Sequence, residues 1–208
     1  MADIFPPIEE ELGPYRHLFR GRVLNAGAGN RDISHLVQGE LVNQDLETGL
    51  HSEAIDIYSP LHAIPVEDGH FDAVICNAVL EHVINPHEVM AEFHRVLRAW
   101  GTLYLTIPFM QPEHRDPTDF QRYTIDGIRV LCERHGFAVR EAEPVHSVYT
   151  TLAWIVHEWT AQADGRVDRL IRATFLRYLV WRSLRSKRQV RTLASAHRVI
   201  AVREPGGG

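Results

Sequence analysis

The stretch Arg22-Val23-Leu24-Asn25-Ala26-Gly27-Ala28-Gly29-Asn30 is a short apolar run that stops at a pair of glycines. An apolar run of this length, bounded by glycine, reads as a strand buried on both faces, as in parallel sheets. Gly27 and Gly29 remove Cβ atoms where the chain must turn sharply, and they let a ligand approach the backbone. In open α/β sheets ligands sit beyond the carboxyl ends of the strands, so this turn is the first candidate for a binding site.

The same alternation continues outward. Residues 8–19 read as a leading helix packed over the core, and Asp32–Gln38 as a helix with Ile33, Leu36 and Val37 inward. Leu41–Asp45, Ala54–Tyr58 and Phe71–Cys76 read as the second, third and fourth strands. Asn85-Pro86 starts a helix with proline at its first position, followed by Val89, Met90, Phe93, Val96 and Leu97 at helical spacing. Gly101–Pro108 is a fifth strand, a helix capped by Thr124 ends at Gly136, Phe137–Val145 is a sixth strand, and Arg198–Arg203 is the last. Strands alternating with helices predict an α/β Rossmann-like fold, a mostly parallel seven-stranded sheet with helices on both faces. Residues 148–195 are too long for a simple connection, so the expectation is one domain over 1–208 with a helical insertion at about 148–195 before the last strand.

With 45% apolar residues among 208, the chain can bury a sizeable core. Cys76 lies in an apolar run and Cys132 in a helical pattern, which predicts two buried free thiols; no zinc-type cysteine spacing occurs. There is no charged leader before an apolar stretch and no run of about 18 apolar residues, so a cytoplasmic address is expected. Charge is uneven. Residues 1–150 carry 11 Lys and Arg against 23 Asp and Glu, whereas residues 151–203 carry 11 against 3. A basic C-terminal segment on an acidic body suggests an anionic partner for that segment, or attraction between the two parts.

A Gly-x-Gly turn is weak evidence by itself, because nicotinamide enzymes share the layout, with a third glycine and a carboxylate about 20 residues on. Here Asp32 stands at the third glycine position, where its charge would repel a pyrophosphate, and no Tyr is followed four residues later by Lys. Two further segments are more specific: Ile64-Pro65-Val66-Glu67-Asp68-Gly69-His70 running through Phe71–Val83, and Glu92-Phe93-His94-Arg95-Val96-Leu97-Arg98-Ala99-Trp100-Gly101. Together with the glycine turn, and in that order over about residues 20–145, they resemble the class I S-adenosylmethionine-dependent methyltransferases of the type 11 group. The segment from Pro108-Phe109 through His114-Arg115-Asp116-Pro117 to Asp119-Phe120-Gln121-Arg122-Tyr123-Thr124 is similar to a subgroup that modifies small molecules and saccharides.

The resemblance implies S-adenosyl-L-methionine as cofactor. It implies that Asn25, Ala26, Gly27 and Gly29 pass close to its methionine part, that Asp45 and the following Leu46 meet its ribose, and that Asn77 and Ala78 line the methionine side. Asn25 is neutral where the group usually has Asp or Glu. Asn30 replaces a frequent glycine, Pro60 falls near the usual adenine-side Asp, and Ala99-Trp100-Gly101 replaces the usual Pro-Gly-Gly. These departures leave a second reading, a degenerate cofactor-binding protein that serves as a partner or scaffold.

A sulfonium methyl is already reactive, so the protein must mainly align a nucleophile; an oxygen nucleophile also benefits from a general base, most often His. His82 and His114 follow the fourth and fifth strands and are the catalytic candidates, with Asp116, Asp119, Arg122 and Tyr123 as substrate-binding candidates. The alternative for Asp119 and Arg122 is a pair that fixes the loop, for Asp116 a turn cap, and for His82 packing at a helix start. The expected acceptor is a small molecule, at a hydroxyl. No histidine pair has convincing ligand spacing, so no metal site is expected: His87 and His94 are seven residues apart, not the four of His-Glu-x-x-His. Residues 150–195, with Trp154, Trp159, Trp181, eight Arg and Lys187, could close over the acceptor pocket or rest on an anionic membrane. A helical wheel over 169–185 puts Arg on several sides, which favours a packed helical cover with solvated Arg. The acidic body argues against nucleic acid. Oligomeric state stays open.

Overall fold

The computed structural model describes residues 4–46, 54–115, 118–163, 165–186 and 188–206. Seven strands form one sheet: β1 (Arg20–Ala26), β2 (Gln38–Asp45), β3 (Ile57–Tyr58), β4 (Phe71–Asn77), β5 (Leu97–Pro108), β6 (Phe137–Val145) and β7 (Ala196–Arg203), in the order β3-β2-β1-β4-β5-β7-β6. From β3 to β5 every pairing is parallel, and β7 runs antiparallel between β5 and β6. The expected mostly parallel seven-stranded sheet is therefore present. The position and direction of β7 are added by the structure.

Alternate residues of the strands feed two cores. Leu24, Val74, Cys76, Leu103 and Leu105 pack under helices α2 (Pro86–Val96) and α3 (Ile125–Arg134), against Val89, Met90, Phe93, Ile128 and Leu131. Val23, Ala73, Ile75 and Tyr104 point to the other face and are covered by Leu12, Phe19, Ile33 and Leu36. Asn85 caps α2 by accepting from His87 N, and Thr124 caps α3 by accepting from Gly127 N at 3.1 Å. Both cysteines are buried free thiols.

Several boundaries differ from the sequence reading. The leading helix is α1 (Ile8–Leu12) followed by 3-10 turns over Gly13–Leu18, because Pro14 falls inside the span. The helix expected over Asp32–Gln38 is a single 3-10 turn, Ser34–Leu36: Val37 is already extended and Gln38 opens β2. The third strand keeps only Ile57–Tyr58 of the expected Ala54–Tyr58. β5 begins at Leu97 rather than Gly101, with a register shift against β4, and Trp100 sits at a φ of 65° where the sequence lacks a glycine.

Between β6 and β7 the described residues form α4 (Val148–Ala161), α5 (Arg166–Ile171), a π-helical turn (Arg172–Leu176), α6 (Arg177–Ser183) and a 3-10 turn (Arg191–Leu193). Ala153, Val156, Leu176 and Leu179 make a third core together with Ile4 of the N-terminal segment. Leu170, Phe175, Tyr178, Trp181 and Leu184 remain exposed, interleaved with Arg. A straight α-helical wheel smears this stripe because the π turn adds a residue to one turn and shifts everything after it. Among the described residues no helix is long and apolar enough to cross a membrane.

Candidate active site

The carboxyl ends of β1, β2, β4 and β5 meet at one edge. Gly27 and Gly29 adopt φ of 68° and 58°, the left-handed region that glycine enters without cost. A Cβ on Gly27 would strike the Val79 side chain at 2.6 Å, whereas one on Gly29 would meet open space. Gln44 and Asp45 at the end of β2 hold this turn: Gln44 Oε1 accepts from Gly27 N at 3.1 Å, and Asp45 Oδ2 accepts from Gly29 N at 2.7 Å. Asp45 Oδ1 accepts from Leu46 N at 2.7 Å. The Asp45 carboxylate thus sits at the expected edge, tied to the glycine turn, while Leu46 is exposed and Ala26 is buried within β1.

Asn25 is nearly buried and donates to Asn43 Oδ1 at 3.0 Å, so its carbonyl oxygen is the end that can face a ligand. Asn77 ends β4. Its Oδ1 accepts from Thr106 Oγ1 at 2.5 Å, and its Nδ2 is buried without a partner. Ala78 follows with a φ of 55°, a left-handed conformation unusual for a residue with a Cβ. An unpaired amide donor beside a strained turn, at the tip of the sheet, suits an anionic ligand group such as a carboxylate.

A cleft of about 360 Å³ opens next to Asn77 and Ala78. Thr106, Pro108, Gln111 and His114 line its sheet side, Glu11, Arg31 and Phe5 its N-terminal side, and His146 and Trp154 its far wall. Trp154 of α4 packs on His114 with ring centroids 5.2 Å apart, and Phe5 meets Trp154 edge-on at 5.0 Å. A second, nearly filled recess beside Asn25 and Gly27 shares Ile8, Arg31 and Asn77 with the first. Of the sequence candidates, Asn25, Gly27, Asn77, Ala78 and His114 line these spaces; Gly29, Asp45 and Leu46 do not. Glu11, Arg31, Gln111 and His146 were not singled out from sequence, because no local pattern marks side chains brought in from four separate segments.

The loop after β5 is latched to the turn after β4. Phe120 N donates to Glu81 O at 2.9 Å, and Gln121 Nε2 donates to Leu80 O and Val83 O. Arg122 holds both oxygens of Asp119 in a bidentate pair and donates to Pro112 O at 3.1 Å. Asp119 Oδ2 also accepts from His114 N at 2.8 Å. The Arg122 guanidinium beside it pulls the Asp119 carboxyl down to about 2. Asp119 and Arg122 are thus spent on fixing the loop, the alternative role raised from the sequence, and neither lines the cleft. Tyr123 donates to Gln121 Oε1 at 3.2 Å and packs against the core. Asp116 lies outside the described residues.

Behind the cleft this latch brings together three side chains. Glu81 is fully buried, and neither of its carboxylate oxygens accepts a hydrogen bond. Its Oε1 lies 3.5 Å from His114 Nε2 and 3.7 Å from His82 Nε2. Each ring directs Nδ1 at a backbone carbonyl, His82 at Thr118 O and His114 at Pro112 O. The Glu81 carboxylate beside it raises the pKa of His114. His82 does not line the cleft; it stands behind His114 with ring centroids 5.3 Å apart.

Residues 27–105 match the family model described as a methyltransferase domain. Among solved structures, the (4+2)-cyclase SpnF superposes with a TM-score of 0.64 at 18% identity, covering 96% of this chain and 81% of that one. An S-adenosylmethionine-dependent methyltransferase from Archaeoglobus fulgidus gives 0.60 at 16% identity, covering 94% and 93%. Phosphoethanolamine N-methyltransferase 2 from Haemonchus contortus, in complex with S-adenosyl-L-methionine, gives 0.63 at 12% identity, covering 95% and 53%. An uncharacterized 37.1 kDa protein in a transposon of Streptomyces fradiae is 34% identical over 127 residues, 53% of this chain and 37% of that relative. The matched stretch thus spans little more than a third of that protein.

Proposed function

We propose that this chain, which has the class I S-adenosylmethionine-dependent methyltransferase fold, binds S-adenosyl-L-methionine at the ends of β1, β2 and β4 and passes its methyl group to the hydroxyl of a small molecule held in the cleft. The observation that carries this reading is the placing of Asn77, with a buried unpaired amide donor, beside an acceptor-sized cleft that contains an imidazole backed by a buried carboxylate. Asn77 Nδ2 would meet the cofactor's carboxylate, Asn25 Oδ1 its ammonium, and Asp45 its ribose. When bound, the cofactor supplies an electrophilic methyl on a sulfonium.

The residues then have two tasks. Trp154, Phe5 and Pro108 wall the cleft and exclude water, which holds the acceptor near attack geometry. His114 is the imidazole in the cleft, and with its Nδ1 at Pro112 O and its Nε2 toward Glu81 it would have to release one of these contacts to take the hydroxyl proton as the oxygen–carbon bond forms and the carbon–sulfur pair returns to sulfur. We extend the proposal to the exposed aromatic and Arg stripe on α5 and α6, which has the chemistry to rest on an anionic membrane surface.

The second reading, a cofactor-binding protein without turnover, is favoured by one observation: the recess beside Gly27, lined among others by Ile8, Arg31 and Ile33, leaves only about 10 Å³. The fold also hosts unrelated chemistry, as a cyclase neighbour illustrates. Calorimetric titration with S-adenosylhomocysteine, with NADH as control, followed by an acceptor screen, separates the readings. Micromolar binding with turnover supports methyl transfer. Binding with no turnover across hydroxylated acceptors supports the second reading, and binding of NADH alone refutes both.

A further inference from the structure

We propose that Glu81, His82 and His114 form a binding site for one divalent transition-metal ion at the inner end of the cleft. One ligand atom from each residue lies within 4.8 Å of the other two. Ligands about 2.1 Å from a common tetrahedral or octahedral centre stand roughly 3.0–3.5 Å apart. The two contacts to Glu81, at 3.5 and 3.7 Å, are within tenths of an ångström of that spacing, and the two histidine ligand atoms, within 4.8 Å of each other, would close around the ion.

The orientation of the two rings points the same way. A backbone carbonyl only accepts, so the contacts of His82 with Thr118 O and of His114 with Pro112 O call for a proton on Nδ1, while Arg122 Nη2, a donor, also stands 3.4 Å from His114 Nδ1. Both rings aim Nε2 at a buried carboxylate whose oxygens accept no hydrogen bond. A fully buried carboxylate that accepts no hydrogen bond is costly unless a proton or a cation sits beside it. Protons on the rings would also face the carboxylate, but contacts of 3.5 and 3.7 Å are longer than charge-assisted hydrogen bonds. A single cation satisfies all three groups. Nδ1 bonded to a backbone carbonyl is also how metal-ligating histidines are commonly oriented.

Two imidazoles and a carboxylate suit Mn²⁺ through Zn²⁺ better than Mg²⁺ or Ca²⁺, which prefer oxygen donors. Three protein ligands leave a position open, and the His114 ring, which lines the cleft, stands between the ion and that space. An acceptor oxygen that reached the ion past His114 would lose its proton more readily, with the ion in place of the base. That use in catalysis rests on the methyl-transfer reading; the metal site itself does not. Sequence spacing could not reveal it, since His82 and His114 are 32 positions apart and only the latch through Phe120 and Gln121 joins their loops.

The test is titration of the full chain, after dialysis against chelator, with Co²⁺ read by visible absorbance and with Zn²⁺ by calorimetry. The expected result is one ion per chain, with Glu81→Gln and His114→Gln each weakening binding at least about tenfold. His87→Gln serves as the control, because His87 and His135 form a surface pair 3.0 Å apart that could take an ion adventitiously. No saturable binding, or binding lost in His87→Gln and kept in both site variants, overturns the proposal. Should Glu81→Gln fail to fold by circular dichroism, His114→Gln carries the comparison. S-adenosylhomocysteine titrated into the same variants should bind as in the parent chain, so failure of the metal site and failure of the cofactor reading are seen separately.

Discussion

Replacing Arg122 by Ala should unlatch the loop that carries His114. The Asp119 side chain is 2% exposed and that of Arg122 23%. Removing one partner of a buried ion pair costs about 3–5 kcal/mol because the other charge is stranded; the partial exposure of Arg122 places this case near about 3 kcal/mol. Asp119 gives an independent figure. Its carboxyl falls from 3.8 to about 2 in the folded chain, which at about 1.4 kcal/mol per pKa unit is ~2 kcal/mol. For a chain of this size about 2–4 °C of melting temperature goes with each kcal/mol, so Arg122→Ala should melt about 5–10 °C lower at neutral pH. A depressed carboxylate pKa contributes stability that is present above the unfolded value near 4 and is lost as pH falls toward about 2. The gap between the two proteins should therefore narrow on acidification. Thermal melts monitored by circular dichroism across pH, with Asp119→Asn and the double variant completing a cycle, measure the coupling. Strictly additive single effects, or a gap that widens in acid, would refute the latch. A higher KM with unchanged stability would return Asp119 and Arg122 to the acceptor-binding role.

Other expectations follow from the site. Asp45→Ala removes the acceptor of two backbone N–H groups, Gly29 and Leu46, and a ribose partner. With charge-assisted bonds worth about 1.5–3 kcal/mol, S-adenosylhomocysteine should bind roughly 10–100-fold more weakly by calorimetry; unchanged affinity removes the ribose role. Asn77→Ala deletes the unpaired donor at the tip of β4, so cofactor affinity should fall while that of the Thr106→Val variant, which touches only the other end of the amide, changes less. His114→Ala should slow methyl transfer to any acceptor the screen finds and leave S-adenosylhomocysteine affinity nearly intact; a large loss of affinity would move His114 out of the acceptor side. For the α5–α6 stripe, cosedimentation with phosphatidylserine vesicles should be weakened by salt and by Trp181→Ala or Arg177→Glu. Equal recovery with and without vesicles would dismiss a membrane contact.

What the sequence determined by itself was local. Val23–Ala26 and Phe71–Cys76 announce strands because their apolar runs are covered on both faces whatever lies next to them. Asn85-Pro86 and Thr124 announce helix starts because a cap acts within three residues. The glycine turn is legible because only glycine takes the φ of 68° and 58° found at Gly27 and Gly29 without strain. Where a local preference competed with a neighbour, it lost. Ile33, Leu36 and Val37 have helical spacing, yet Val37 turns extended and Gln38 opens β2, since pairing with β1 satisfies a row of backbone groups that one further helical turn could not. Tertiary structure alone decided the rest. It set β7 antiparallel between β5 and β6, turned Asp119 and Arg122 inward as a latch, and exposed an aromatic stripe that a straight wheel hides because of the π turn. It also brought Glu81 and His82 to His114. Convergence of side chains from distant segments depends on how loops pack, and packing leaves no periodicity in the chain to read.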